Sequence, residues 1–79
     1  MLRKKEARVV ITFRTTTAAM QTEALAQERK LSGRLIPVPR EITAGCGLAW
    51  SAPPEQRADW QRLLMQKGLA VQDIYELVI

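Results

Sequence analysis

The side chain best suited to chemistry is the thiol of Cys46, the one cysteine in the 79 residues. It sits within Gly45-Cys46-Gly47, near the end of the stretch Leu35-Ile36-Pro37-Val38-Pro39-Arg40-Glu41-Ile42-Thr43-Ala44-Gly45-Cys46-Gly47-Leu48-Ala49. A thiol reacts as its thiolate, which is favoured beside a helix N-terminus or a guanidinium group. Glycines on either side leave the sulfur accessible and let the backbone approach closely. The N–H groups of such a loop can gather around an anion. A cysteine in this setting can hold a transferable sulfur or selenium atom as a persulfide-type anion. The same residue has a plainer reading. Free cysteine often behaves as a small buried hydrophobe, and Cys46 shares a strand face with Leu48 and Trp50. On the residues alone, both readings stand.

Composition excludes several other chemistries. There is no histidine, so imidazole acid–base catalysis and Cys/His zinc sites are ruled out, and one cysteine cannot form an internal disulfide. No cofactor and no metal are expected. Glu41 and Glu55 lack a spacing that suggests paired acid–base work, and Gly45-Cys46-Gly47 matches no phosphate-loop or dinucleotide fingerprint. The protein is therefore not expected to be an enzyme. Net charge is +4, but the basic residues are scattered, with one Phe, one Tyr and two Trp to stack on bases. Nucleic-acid surfaces show clustered Lys/Arg with aromatics, so no nucleic-acid partner is expected. After the basic Met1-Leu2-Arg3-Lys4-Lys5-Glu6, the apolar run Val9-Val10-Ile11 is too short for a signal peptide or a membrane span. A lone thiol suits a reducing compartment, so a cytoplasmic protein with no membrane partner is expected.

The elements that must position Cys46 can be read from periodicity and breakers. The length allows one domain with one core. Residues 1–7 read as a flexible basic tail and residues 8–79 as the domain. Arg8 to Phe13 is rich in β-branched residues and apolar on both faces, which predicts a central strand. Thr15, Thr16 and Thr17 can cap a helix running from Thr16 to about Lys30. Its core face would be Ala18, Ala19, Thr22, Leu25 and Ala26, with Ser32-Gly33 as the stop. Arg34 to Arg40 reads as the second strand. Pro37 and Pro39 each lack an N–H on the same side, which predicts a sheet edge. Glu41 to Gly45 is a turn, and Gly47 to Ser51 a third strand. Pro53-Pro54-Glu55 opens a second helix with the stripe Trp60, Leu63 and Leu64 and a cap at Gly68. Gln72 to Ile79 is the last strand, whose apolar residues do not alternate cleanly.

This order predicts an α+β, ferredoxin-like βαββαβ fold: a four-stranded antiparallel sheet with two helices on one face and the other face open. The first strand, the start of the first helix and the turn between strands two and three then lie at one end of the sheet. Cys46 is expected there, near Thr15 and Thr16, with Arg14 and Arg40 flanking it. Arg40-Glu41 can position an anion or be a solvated turn pair. The threonines can cap the helix, bind an anion, or both. A competing function is a non-catalytic interaction or regulatory module, using the open sheet face or the last strand. That strand's edge carries no proline, so a homodimer is plausible.

Ile11-Thr12-Phe13, the threonines opening the first helix, Arg34 to Ile42 and Cys46-Gly47-Leu48-Ala49 resemble the putative selenium/sulfur (Se/S) carrier protein-like family. This is a group of small bacterial domains of formerly unknown function, associated with sulfur and selenium metabolism. The resemblance runs from about Val9 to Tyr75. It implies that Cys46 is the carrier thiol, with Arg40 and Gly47 as motif companions. It also implies a donor protein such as a cysteine desulfurase, and an acceptor protein that supplies the next thiol. Where the first helix ends, the family commonly carries a glycine; this chain has Arg29-Lys30-Leu31-Ser32-Gly33.

Overall fold

Val9, Val10, Ile11 and Phe13 are fully buried, as expected of a strand covered on both faces. The computed structural model describes residues 5–42 and 46–79. This strand is β1 (Ala7–Phe13); it is followed by α1 (Thr16–Arg29), β2 (Arg34–Pro37), β3 (Leu48–Ala52), a 3-10 turn at Pro54–Gln56, α2 (Arg57–Lys67) and β4 (Val71–Val78). The sheet order is β2-β3-β1-β4, every neighbouring pair antiparallel. This is the expected ferredoxin-like arrangement.

The proline pair acts as predicted. Val38, between Pro37 and Pro39, donates its N–H to the Gly47 carbonyl at 3.1 Å. Backbone groups two residues apart point the same way, so both prolines face away from β3, on the outer edge of the sheet. The regular strand stops at Pro37, earlier than expected. The chain then turns, with the Ile42 N–H on the Pro39 carbonyl at 3.0 Å.

The helix-side core joins Val9, Ile11 and Phe13 to Ala18, Ala19, Leu25 and Ala26 of α1, and to Trp60, Leu63 and Leu64 of α2. The small residues on α1 let it lie close to the sheet. Thr22, fully buried among them, satisfies its hydroxyl by donating to the Ala18 carbonyl at 2.9 Å. Trp50 meets Trp60 edge to face, with ring centroids 5.6 Å apart and planes at 61°. Packing of this kind contributes beyond simple burial.

The second sheet face is not bare, which corrects the expectation of an open face. Val10 and Ala49 are fully buried there beneath Ile42, with Ile36, Val38, Tyr75, Leu77 and Ile79 around them. The turn after β2 folds back over the sheet and carries Ile42 with it. Ile42 and these five side chains surround Val10 and Ala49, enough to remove them from water.

Both helices end the same way. Lys30 donates its N–H to Gln27 and Leu31 to Ala26; Gly68 donates to Met65 and Leu69 to Leu64. These are Schellman motifs, with a left-handed residue and an apolar residue folded back on the core. Gly68 (φ 63°) is the expected cap, whereas α1 uses Lys30 (φ 56°) in place of Ser32-Gly33. Gly33 has a different task. A Cβ there would lie 2.7 Å from the Ser51 carbonyl oxygen and 2.7 Å from Trp50 Nε1. Only glycine lets the chain pass over the indole on its way into β2.

β4 contains a β-bulge. Thr12 pairs with Asp73 but Phe13 pairs with Val71, so Gln72 is the extra residue. Val71 and Ile74 consequently both reach the helix-side core, while Tyr75, Leu77 and Ile79 reach the other face. That explains the broken alternation. Ile79 exchanges both backbone bonds with Glu6, so Ile74, Glu76 and Val78 turn theirs outward. The Asp73 carboxylate accepts the Ile74 N–H at 2.9 Å. Arg57 at the start of α2 forms an ion pair with Glu76 of β4 at 2.6 Å. Among the described residues, no helix is long and apolar enough to cross a membrane.

Candidate functional site

Cys46 enters β3 two residues before its first strand position, Leu48. The β1–β3 register ends with Thr12 opposite Ala49. Three residues beyond Thr12 lies Thr15; three residues before Ala49 lies Cys46. Both therefore leave the central strands at the same end of the sheet. The Cys46 side chain is half-buried and packs against the rim of the helix-side core. Its Sγ makes a weak contact as donor to the Leu48 carbonyl at 3.4 Å. The geometry thus combines elements of both readings of the thiol: it touches the core without being sealed inside it.

Gly47, immediately after the thiol, has φ 80°, and a Cβ there would meet nothing within 4 Å. Glycine is needed for the backbone angle, and the space beside the sulfur's neighbour is open. Gly45 lies outside the described residues.

Thr15 is the N-cap of α1. Its backbone is extended (φ −135°, ψ 151°) and its hydroxyl accepts the Ala18 N–H at 3.1 Å. Thr16 is the first helical residue and is exposed. The first turn of α1 contains no acidic side chain, so nothing on the helix offsets the positive end of its dipole. Arg14 is exposed, and its backbone N–H is fixed to the Ala70 carbonyl at 2.9 Å. Its position between Phe13 and Thr15 keeps it at the same end of the sheet as Cys46.

Arg40 is placed differently. It is exposed on the turn after β2 and lines a cavity on the sheet face away from the helices. Cys46 packs on the helix side. The structure therefore groups Cys46 and Gly47 with Arg14, Thr15 and Thr16 at the sheet end. It groups Arg40 with Arg8 and Arg34, two residues that a reading of local motifs passes over. Arg8 points to that face because it alternates with the buried Val9, and Arg34 because it pairs opposite Ser51 of β3. Strand alternation would identify both once the register is known. Arg8 is held by Ser51: Nε donates to Oγ at 2.9 Å and Nη2 to the carbonyl oxygen at 3.3 Å.

No curated protein and no solved structure gives a significant match to this chain. A family model described as putative Se/S carrier protein-like matches residues 8–76, from the second residue of β1 into β4. With nearly its whole length matched, the chain belongs to the Se/S carrier protein-like family.

Proposed function

We propose that the protein carries a sulfur or selenium atom on Cys46 and passes it to an acceptor protein. Family membership over residues 8–76 supports this reading. The observation that carries it is the placement of the thiol, half-buried at the sheet end where α1 begins, next to the open backbone of Gly47.

The exchange balances without an external oxidant. For sulfur, the Cys46 thiolate attacks the terminal sulfur of a donor persulfide, such as one formed on a cysteine desulfurase. One S–S bond forms at Cys46 and the donor's S–S bond breaks, releasing the donor as its thiolate. An acceptor thiolate then attacks the terminal sulfur on Cys46 and restores the Cys46 thiol. The chain has no second cysteine that could divert the adduct into an internal disulfide. The turnover chemistry belongs to donor and acceptor, so the protein acts as a carrier and not as an enzyme. Such an exchange suits a reducing compartment such as the cytoplasm.

The test is intact mass after incubation with a cysteine desulfurase and cysteine. The expected result is a gain of one sulfur atom, removed by reductant and absent from Cys46→Ser. That variant should stay folded and melt within a few degrees of the parent, since the half-buried thiol packs only at the rim of the core and makes one weak backbone hydrogen bond. An unmodified Cys46 beside a desulfurase that is turning over would exclude this role.

A further inference from the structure

The sheet face away from the helices carries a cavity of about 670 Å³ that the carrier reading does not use. Its size falls within the range of small-molecule sites, roughly 300–1,000 Å³. The turn after β2 forms one wall, the start of β1 and the end of β3 the other. Ile36 and Ile79 give it an apolar part.

Its charges are the informative feature. Arg8, Arg34 and Arg40 line it together with Glu6 and Glu41. Among the described residues, the ion pairs are Arg57–Glu76 and Arg62–Asp59, so none of these five groups neutralises another. Three arginines and two glutamates thus line one cavity, and among the described residues none of them forms an ion pair. Arg8 is also oriented in advance. Ser51 takes one N–H from Nε and one from Nη2, which leaves Nη1 and the second Nη2 hydrogen to meet a ligand. An arginine fork fixed in this way matches a planar carboxylate.

A polyanion would gain from the arginines but be repelled by Glu6 and Glu41. A molecule with one carboxylate and one ammonium group matches both signs, and an apolar side chain on it would cover Ile36 and Ile79. We propose that this cavity binds a free α-amino acid with an apolar side chain, its carboxylate on Arg8 and its ammonium held by Glu6 or Glu41. The inference is independent of Cys46, and Cys46→Ser should bind the amino acid as the parent does.

The experiment is an amide-resolved NMR titration of the whole chain with L-leucine, L-leucinamide and inorganic phosphate. L-leucine should give saturable shifts centred on Ile36, Ser51 and Glu6. L-leucinamide, which lacks the carboxylate, should bind at least about tenfold more weakly, as should Arg8→Gln with L-leucine. Because Arg8 also bonds to Ser51, Arg34→Gln serves as a second variant at an exposed residue, and should weaken binding while leaving the fold intact. Arg62→Gln on α2 should leave it unchanged. The proposal is overturned if L-leucine gives no saturable shift, if leucinamide binds as tightly, if neither arginine variant weakens binding, or if phosphate binds more tightly than L-leucine.

Discussion

Gly33→Ala tests how closely the chain between α1 and β2 is fitted to the core. The added Cβ would stand 2.7 Å from the Ser51 carbonyl oxygen, 2.7 Å from Trp50 Nε1 and 2.8 Å from Trp50 Cε2. None of these atoms can yield easily. The carbonyl belongs to β3, and the indole is 2 % exposed and packed against Trp60. Overpacking of this kind costs about 1–3 kcal/mol. The backbone angle, φ 141°, adds a further ~1–3 kcal/mol for a residue with a side chain. Alanine recovers up to about 1 kcal/mol by restricting the unfolded chain. The net loss is roughly 1–6 kcal/mol, against a total stability of about 4–12 kcal/mol for a domain of this length. At roughly 4–8 °C per kcal/mol, the midpoint of thermal unfolding followed by circular dichroism should fall by about 5–50 °C. Gly68→Ala is the comparison. Its φ is also positive, at 63°, but a Cβ there meets nothing within 4 Å, so it should cost only about 1 kcal/mol. If Gly33→Ala melts within a few degrees of the parent, or no lower than Gly68→Ala, the close approach to Trp50 is not what selects glycine at this position.

Two further substitutions test the ends of α1. Lys30→Gly removes left-handed strain of about 1–2 kcal/mol and returns up to about 1 kcal/mol to the unfolded chain, so the midpoint should rise, by up to roughly 16 °C; a fall would mean that the Lys30 side chain contributes more than its backbone costs. Thr15→Ala removes the bond to the Ala18 N–H and should cost about 1 kcal/mol, whereas Thr16→Ala at an exposed helical position should change stability by less than about half that. Equal losses at the two positions would show that the cap is not the Thr15 hydroxyl.

Much of the fold could be read locally because local rules and tertiary packing agree. Two prolines with one unpaired side set the edge at β2. The small face of α1 set its contact with the sheet, and Trp60, Leu63 and Leu64 did the same for α2. What could not be read depends on pairing across the sheet. The bulge at Gln72 exists only relative to β1, and without it the apolar residues of β4 look irregular. The burial of Val10 needs the turn after β2 to fold back, which no residue between Val38 and Ile42 announces. The edge of β4 looked unprotected for lack of proline, yet Asp73 covers the Ile74 N–H. At the site, the position of Cys46 at the sheet end where α1 begins was legible from element order. The company of Arg40 was not, because Arg8 is far from it in sequence, and Arg8 and Arg34 come onto one sheet face only through the β1–β3–β2 register.

The edge-to-face indoles of Trp50 and Trp60 have a practical consequence. The domain holds both of its tryptophans in one dry contact, one on β3 and one on α2, so their emission is an internal gauge of whether helix and sheet remain together. Loosening of α2 from the sheet would hydrate both rings at once and move the spectrum to the red, with no label attached.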